Sequence, residues 1–295
     1  MTTTTPAHSG PTTLSPDSGT HPADEWGIDA LDLDAYLDRI GMSRAAPSAA
    51  ALAALHEAHV RTIPFDNIEP ALGSTPSLNL ARITDKLVHR RRGGYCYEHA
   101  LLAAAALEHL GYPVTRCLAR VRPDHPENLR THMVLLVHAD GEDHLVDVGF
   151  GASMLRPMPL RDGVELDQAG WRHRLRRTPG GWRLDKHTGD DWQTLHAFDD
   201  TPQRLSDYVV ANHYTATHPD SPFTGRLVAM RLEHGISRQL VGAELRVHHA
   251  DGRPTETIPV TTDTLGEVLD ALGLVVDADD LRRLTDLHRR NAAGA

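Results

Sequence analysis

The sequence reads Arg92-Gly93-Gly94-Tyr95-Cys96-Tyr97-Glu98-His99 where a glycine pair meets one of the chain's two cysteines. A long apolar stretch from 100 to 107 follows at once, and Gly111 and Pro113 come just after it. Glycine and proline in these places are typical of a helix end. We therefore expect a buried helix with Cys96 in its first turn, and the rest of the fold is organised around this helix.

Cys96 has two interpretations at this position. An isolated cysteine is ordinarily a small buried hydrophobe. The unpaired N–H groups and the positive dipole end of a helix favour an anion, however, and thiolates at such sites near basic residues act as nucleophiles. A glycine pair also lets another backbone or a ligand come close. The local sequence leaves a reactive cysteine and a core cysteine both open.

The composition limits the classes of function. At 295 residues, with 40% hydrophobic and 24% charged residues, the chain is typical of a globular protein and has room for two or three domains. A net charge of -10 argues against a general nucleic-acid binder, although local basic patches can still hold a small anion. Two cysteines provide no disulfide framework, which favours a cytoplasmic protein. No apolar run reaches the roughly 18 residues of a membrane helix, so we expect no membrane partner.

The sequence pattern divides the chain into four segments of an α+β protein. Residues 1–26 are rich in Thr, Pro, Ser, Gly and His, which predicts a disordered tail. Residues 27–112 have helical periodicity and carry the candidate nucleophile. Residues 113–205 contain short apolar runs separated by turn signals, which is typical of an antiparallel sheet or a small barrel. Residues 206–295 mix strands with helices.

A nucleophilic cysteine usually needs a base and a group that orients the base. His132 begins an apolar run and Asp147 interrupts the next one. If Asp140-Gly141 is the centre of an even-length hairpin, Val134 faces Asp147, and His132 becomes its diagonal neighbour on the same face. Such diagonal pairs lie about 7–8 Å apart, within reach of an imidazole and a carboxylate. A loop of odd length would put the two on opposite faces, and Asp147 could equally face water at a sheet edge.

The other histidines give weaker signals. His56-Glu57-Ala58-His59 resembles a zinc motif, but the zincin pattern needs two residues between the glutamate and the second histidine. No other metal or phosphate-loop pattern is present in the sequence, so we expect no metal site. Cys117 lies in a predicted strand and is interpreted as a core residue.

Five ordered motifs together resemble the arylamine N-acetyltransferase family, in its actinobacterial form. The signature Arg-Gly-Gly-x-Cys-x-Glu is present at 92–98, and 63–67 is similar to the N-terminal motif of that family. Thr131-His132 and the segment 146–151 are similar to its second and third catalytic segments, and 212–219 is similar to the entry to its third domain. The resemblance covers nearly the whole chain after the tail.

The resemblance implies a helical bundle, a central antiparallel β-barrel and a C-terminal α/β lid, with a cysteine-protease-like Cys-His-Asp arrangement. Cys96 would be the nucleophile, His132 the base and Asp147 the orienting group. Acetyl-CoA would be the co-substrate, with no tightly bound cofactor. In a ping-pong reaction, the acetyl group would pass through Cys96 to an arylamine, hydrazine or N-hydroxyarylamine. A homo-oligomer is compatible with this resemblance.

The resemblance also implies substrate-binding residues. Phe65, Tyr97 and Phe150 would line an apolar slot for a flat amine, and Phe150-Gly151 would approach the acyl donor. Backbone N–H groups near Tyr97 and Thr131 would stabilise the oxyanion. The sequence departs from the family pattern at Ala100, where asparagine is usual, and at His213, where tryptophan is frequent. These departures affect the shape of the pocket rather than the triad.

Three alternatives use the same residues differently. An amide synthase would release a polyketide chain as a macrolactam, with a carrier-bound thioester in place of acetyl-CoA. A cysteine hydrolase would use water as the acceptor and would need a wet pocket. A non-catalytic binding protein would not need an intact triad, and all three residues are present.

Overall fold

The computed structural model describes residues 25–151, 153–189 and 191–293, and its first part is helical. After a 3₁₀ turn at Ile28–Ala30, the elements are α1 Leu33–Ile40, α2 Ala49–Thr62, β1 Phe65–Asp66, α3 Ile68–Ala71, α4 Leu80–Thr84, a π turn at Asp85–His89 and α5 Cys96–His109. Polar side chains cap several of these helices. For example, Ser48 accepts from the N–H of Ala51 at 3.1 Å. Every residue of α5 from 96 to 107 is buried, so the predicted central helix is confirmed.

Eight antiparallel strands follow and form a nearly closed barrel. They are β2 Val114–Val121, β3 Arg130–Ala139, β4 Glu142–Val146, β5 Met158–Pro159, β6 Glu165–Gln168, β7 Trp171–Thr178, β8 Gly181–Thr188 and β9 Asp191–Phe198. Their order in the sheet is β5-β4-β3-β2-β9-β8-β7-β6. Side chains alternate between two faces. Val134 and Leu136 belong to the core inside the barrel, while Met133 and Leu135 belong to the core shared with the helices.

The C-terminal part is an α/β unit, as expected. It contains α6 Leu205–Thr217, β10 Val228–Glu233, β11 Ile236–Val241, β12 Glu244–His249, β13 Glu256–Pro259, α7 Leu265–Ala271 and α8 Ala278–Ala293. Its antiparallel sheet has the order β1-β10-β11-β12-β13. The sheet therefore takes its edge strand from the segment that we assigned to the helical bundle. Phe65 pairs with Met230 in this way, which joins the two parts next to the signature motif.

The predicted tail lies mostly outside the described residues, since 1–24 are not among them. Its last two residues already pack on the fold. The Glu25 carboxylate accepts from the Arg204 guanidinium at 2.8 Å, and the Arg116 guanidinium lies 4.4 Å from the centroid of the Trp26 ring. The folded region thus begins before the predicted boundary at residue 27. Among the described helices, none has the length and apolar character needed to cross a membrane.

Candidate active site

Cys96 is the first residue of α5, and a buried ion pair holds the turn around it. The carboxylate of Glu98 accepts from the backbone N–H of Tyr95 at 3.1 Å and from the Lys86 ammonium at 2.8 Å. Burial would lower the pKa of Lys86, but the carboxylates of Glu98, Asp66 and Glu69 outweigh it and raise that pKa. Lys86 is therefore charged, and its ion pair with Glu98 fixes the first turn of α5.

The glycine pair before Cys96 allows close contacts with protein atoms. A Cβ on Gly93 would lie 2.3 Å from the Asp66 carboxylate and 2.4 Å from the Pro64 carbonyl oxygen. A Cβ on Gly94 would lie 2.7 Å from the Glu98 carboxylate. The expected close approach is thus confirmed, and the approaching groups are protein backbone and side chain.

His132 and Asp147 meet as the hairpin argument predicted. Ala139 pairs with Glu142 and Leu135 with Val146, so the loop at Asp140-Gly141 has the even length. The Nε2 atom of His132 lies 2.9 and 3.0 Å from the two carboxylate oxygens of Asp147. Continued pairing would set Val134 opposite Asp147, which makes His132 its diagonal neighbour.

The electrostatics of this pair favour a charged histidine beside the cysteine. Burial would raise the pKa of Asp147, but the charge and hydrogen bond of His132, joined by His196, hold it well below its usual range. Burial would likewise lower the pKa of His132, but Asp147 and a hydrogen bond with Cys96 raise it to about 10. Since Nε2 serves Asp147, Nδ1 is left for the sulfur.

Two more histidines hold Asp147, and the sequence analysis missed both roles. His196 of β9 is fully buried, and its Nε2 lies 3.0 Å from the Asp147 carboxylate. His56 of α2 accepts from the backbone N–H of Asp147 at 3.3 Å, and its Nδ1 donates to the Leu155 carbonyl at 3.0 Å. His56 attracted notice only as part of a failed zinc motif. The signal for His196 is a histidine on the inward face of a strand, which the sequence shows only once the register is known.

The same cluster has the donor set of a metal site. His132, Asp147 and His196 offer three ligand-type atoms within 4.8 Å of one another. Both imidazole Nε2 atoms already hydrogen bond to the carboxylate, however. The charge and hydrogen bonds that raise the pKa of His132 also favour a proton on the nitrogen that a metal would need. The three side chains therefore hold one another by hydrogen bonds.

The segment after Asp147 brings the barrel against the nucleophile. A Cβ on Gly149 would lie 2.8 Å from both the Cα and the carbonyl oxygen of Cys96. The ring of Phe150 has its centroid 4.9 Å from that of His132. Gly151 has a left-handed φ of 77°, and a Cβ there would lie 2.5 Å from the Met230 sulfur. Phe150 therefore lies beside His132, while Gly151 packs against Met230.

The remaining predicted substrate residues are more deeply placed. Phe65 is buried and stacks on His99, with ring centroids 6.4 Å apart. The Tyr97 ring is fully buried against other tyrosine rings, and its hydroxyl donates to the Thr131 carbonyl at 2.7 Å. The side chain of Tyr97 thus ties α5 to the start of β3 and does not line an open slot. Thr131 is skipped in the β2–β3 register, because Ala119 pairs with His132 and Arg120 with Arg130.

The two positions that depart from the family pattern differ in setting. Ala100 is buried on α5, one turn after Cys96. His213 is exposed on α6. Ala100 is therefore the one that can alter the interior near the triad.

Comparisons with known proteins agree with the motifs. A family model described as N-acetyltransferase matches residues 48–281. The arylamine N-acetyltransferase of Mycobacterium tuberculosis is 40% identical over 252 residues, which cover 81% of this chain and 88% of that protein. The crystal structure of the Nocardia farcinica arylamine N-acetyltransferase is similar with a TM-score of 0.83 at 40% identity, over 92% of this chain and 98% of that one. The structure of the Mycobacterium marinum arylamine N-acetyltransferase in complex with CoA is similar with a TM-score of 0.82 at 35% identity. This similarity covers 87% of this chain and 98% of that one.

Proposed function

We propose that Cys96 carries an acetyl group from acetyl-CoA to the nitrogen of an aromatic amine. This chain belongs to the arylamine N-acetyltransferase family. The chain is an acetyl-CoA-dependent transferase, with acetyl-CoA as its co-substrate. The observation that carries the proposal is the buried His132–Asp147 pair, with Nε2 of His132 2.9 Å from the Asp147 carboxylate, together with the buried Cys96 at the start of α5.

In the first half-reaction the Cys96 thiolate attacks the thioester carbonyl of acetyl-CoA. A bond forms between the carbonyl carbon and the Cys96 sulfur, and the bond to the CoA sulfur breaks. The leaving CoA thiolate takes the proton that His132 holds. The backbone N–H of Tyr97, in the first turn of α5, supports the oxyanion. Exchange of one thioester for another is nearly neutral in energy, so this step is reversible.

In the second half-reaction the acceptor nitrogen attacks the acetyl-Cys96 thioester. His132 takes the proton from the nitrogen, the C–S bond breaks, and the amide leaves with Cys96 again a thiolate. Asp147 stabilises the imidazolium in both steps. Phe150, beside His132, favours a flat acceptor such as an arylamine, a hydrazine or an N-hydroxyarylamine.

Burial of the triad argues for an amine acceptor over water. Cys96, His132 and Asp147 are 4%, 3% and 2% exposed. A thioester formed there is shielded from hydrolysis and persists until an amine enters. This favours the transferase over the cysteine hydrolase.

Mass spectrometry of the intact protein tests the proposal. Incubation with acetyl-CoA should add one acetyl group, which persists without acceptor and is lost when an anisidine or a hydrazine is added. Cys96→Ala should abolish the adduct. The matched control is Cys117→Ala, since Cys117 is the other cysteine and lies inside the barrel. An adduct that survives in Cys96→Ala, or one that decays equally fast without amine, contradicts the proposal.

A further inference from the structure

A row of arginines crosses the outer wall of the barrel. In the register of the sheet, Arg130 of β3 lies opposite Arg120 of β2, which lies opposite Ala197 of β9. Ala197 in turn lies opposite Arg183 of β8, which lies opposite Arg176 of β7. Directly opposed residues share one face of a sheet. Four guanidiniums and one alanine therefore line up across five strands, a span of about 19 Å.

The row of arginines faces away from the triad, although Arg130 and His132 lie on the same strand, β3. His196 and Ala197 are consecutive in β9, so their side chains point to opposite faces. The register shift in the β2–β3 pair has the same effect, because His132 pairs with Ala119 while Arg130 pairs with the next residue, Arg120. The wall thus holds its catalytic histidines inside and its arginines outside.

The four arginines line one cleft of about 470 Å³, together with Ala197. No acidic side chain lines this cleft among the described residues. A second cleft of about 500 Å³ is lined by Arg61 and Arg231 together with Glu57 and Glu233, so its charges balance. In a chain of net charge -10, the first cleft is thus lined by arginine as its only charged residue type.

Aspartates pair with three of the four arginines, one of them the fully buried Asp185, and most of the N–H donors of the row lie outside these contacts. The ion pairs are Arg130–Asp199 at 2.7 Å, Arg183–Asp124 at 2.7 Å and Arg176–Asp185 at 2.5 Å. Within the described part of the chain, Arg120 donates to the backbone carbonyl of Asn128. A guanidinium has five N–H donors, and Arg120, Arg130 and Arg183 each use a single one in these contacts.

We infer that this cleft binds a phosphate-bearing ligand. Like charges directly opposite each other destabilise a sheet. Aspartates compensate Arg130, Arg176 and Arg183, and an anion beside Arg120 would compensate the fourth charge. The planar fork of arginine matches the oxygens of a phosphate in a bidentate manner. Ala197 separates the Arg120–Arg130 pair from the Arg176–Arg183 pair and leaves room for the ligand between them. The ligand is either the phosphate portion of the acyl donor or a separate phosphorylated metabolite.

Calorimetric titration of the full chain with inorganic pyrophosphate at low salt tests the inference. The wild type should bind pyrophosphate, and added salt should weaken the binding. Arg120→Gln/Arg183→Gln should weaken it at least about tenfold, because charge-assisted hydrogen bonds are lost. The matched control is Arg44→Gln/Arg161→Gln, which removes two exposed arginines that are each paired with one carboxylate. Arg183→Gln alone is a second variant that preserves the fold, since its partner Asp124 is exposed.

Two further measurements distinguish the sources. If pyrophosphate competes with acetyl-CoA, and the KM for acetyl-CoA rises in the double variant, the cleft holds the phosphates of the donor. If pyrophosphate and CoA bind together and the KM is unchanged, the ligand is a separate metabolite. Either result supports the phosphate site. A wild type that binds no pyrophosphate at millimolar concentration, or an equal loss in the Arg44→Gln/Arg161→Gln control, overturns it.

Discussion

Cys96 and its base reach the active site from two regions that are built differently. Cys96 is positioned from within the helical region, by the Lys86–Glu98 ion pair and by the glycine pair at 93–94, where Gly93 packs on Asp66 and Pro64. His132, Asp147 and His196 come from separate parts of the barrel and meet because the strand register aligns them. The helical region therefore sets the position of Cys96, while strand pairing in the barrel sets the positions of His132, Asp147 and His196. Substitutions in the barrel cluster should remove catalysis and leave the helical region folded.

The largest effect is expected from Asp147→Asn. The amide keeps the shape of the carboxylate but removes the charge that holds His132 protonated and oriented. Loss of the orienting aspartate in a comparable triad lowers kcat about 10⁴-fold, and we expect a fall of that order in the rate of Cys96 acetylation, measured by rapid quench. Asp143→Asn is the matched control, because Asp143 lies on the same hairpin but is exposed and pairs with His138. A rate near that of wild type in Asp147→Asn would refute the triad.

The next expectation concerns how pH changes the free energy of unfolding. The pKa of His132 is raised from an unfolded value of about 6.5 to about 10 in the folded protein. When folding raises the pKa of a group, that group contributes its full stabilisation to the folded state at pH values below its unfolded pKa. This contribution is lost as the pH rises through the folded pKa. Urea unfolding of the wild type should therefore lose stability between about pH 6.5 and pH 10. His132→Gln should lose less across that interval, and parallel curves for the two proteins would contradict the ion pair.

Gly149→Ala tests the point where the two regions touch. Its Cβ would collide with the Cys96 backbone at 2.8 Å, so the segment after Asp147 and α5 must move apart. Overpacking of this kind costs about 1–3 kcal/mol of stability, and the displaced nucleophile should also acetylate more slowly. Gly266→Ala is the control, because its Cβ would meet Leu281 at an ordinary 3.7 Å. We expect that variant to keep full activity, and equal behaviour of the two would show that the contact does not position Cys96.

The same contrast explains what the sequence could predict. The helix that begins at Cys96 follows from an apolar run with glycine and proline after it, which are local signals. The His132–Asp147 contact follows from one hairpin, because a two-residue loop fixes the register of its strands. His196 could not be assigned in this way, since β9 pairs with β2 across more than 70 residues of chain. The strand β1 could not be predicted for a similar reason. Its two residues show no periodicity, and the strand it pairs with lies in the C-terminal part of the chain.

The last expectation concerns His196, which acts through Asp147. Burial lowers the pKa of His196 more than Asp147 raises it, so the ring is neutral and donates its Nε2–H to the carboxylate. His196→Phe removes one hydrogen bond to a charged group, worth about 1.5–3 kcal/mol, and leaves a ring that suits the neighbouring Phe150 and Phe198. The acetylation rate should fall roughly tenfold to a hundredfold. His196→Gln keeps an N–H donor and should recover part of the lost acetylation rate. Its melting temperature should equal that of His196→Phe. If the phenylalanine and glutamine variants are equally slow, His196 is a packing residue, and the base is positioned by His132 and Asp147 alone.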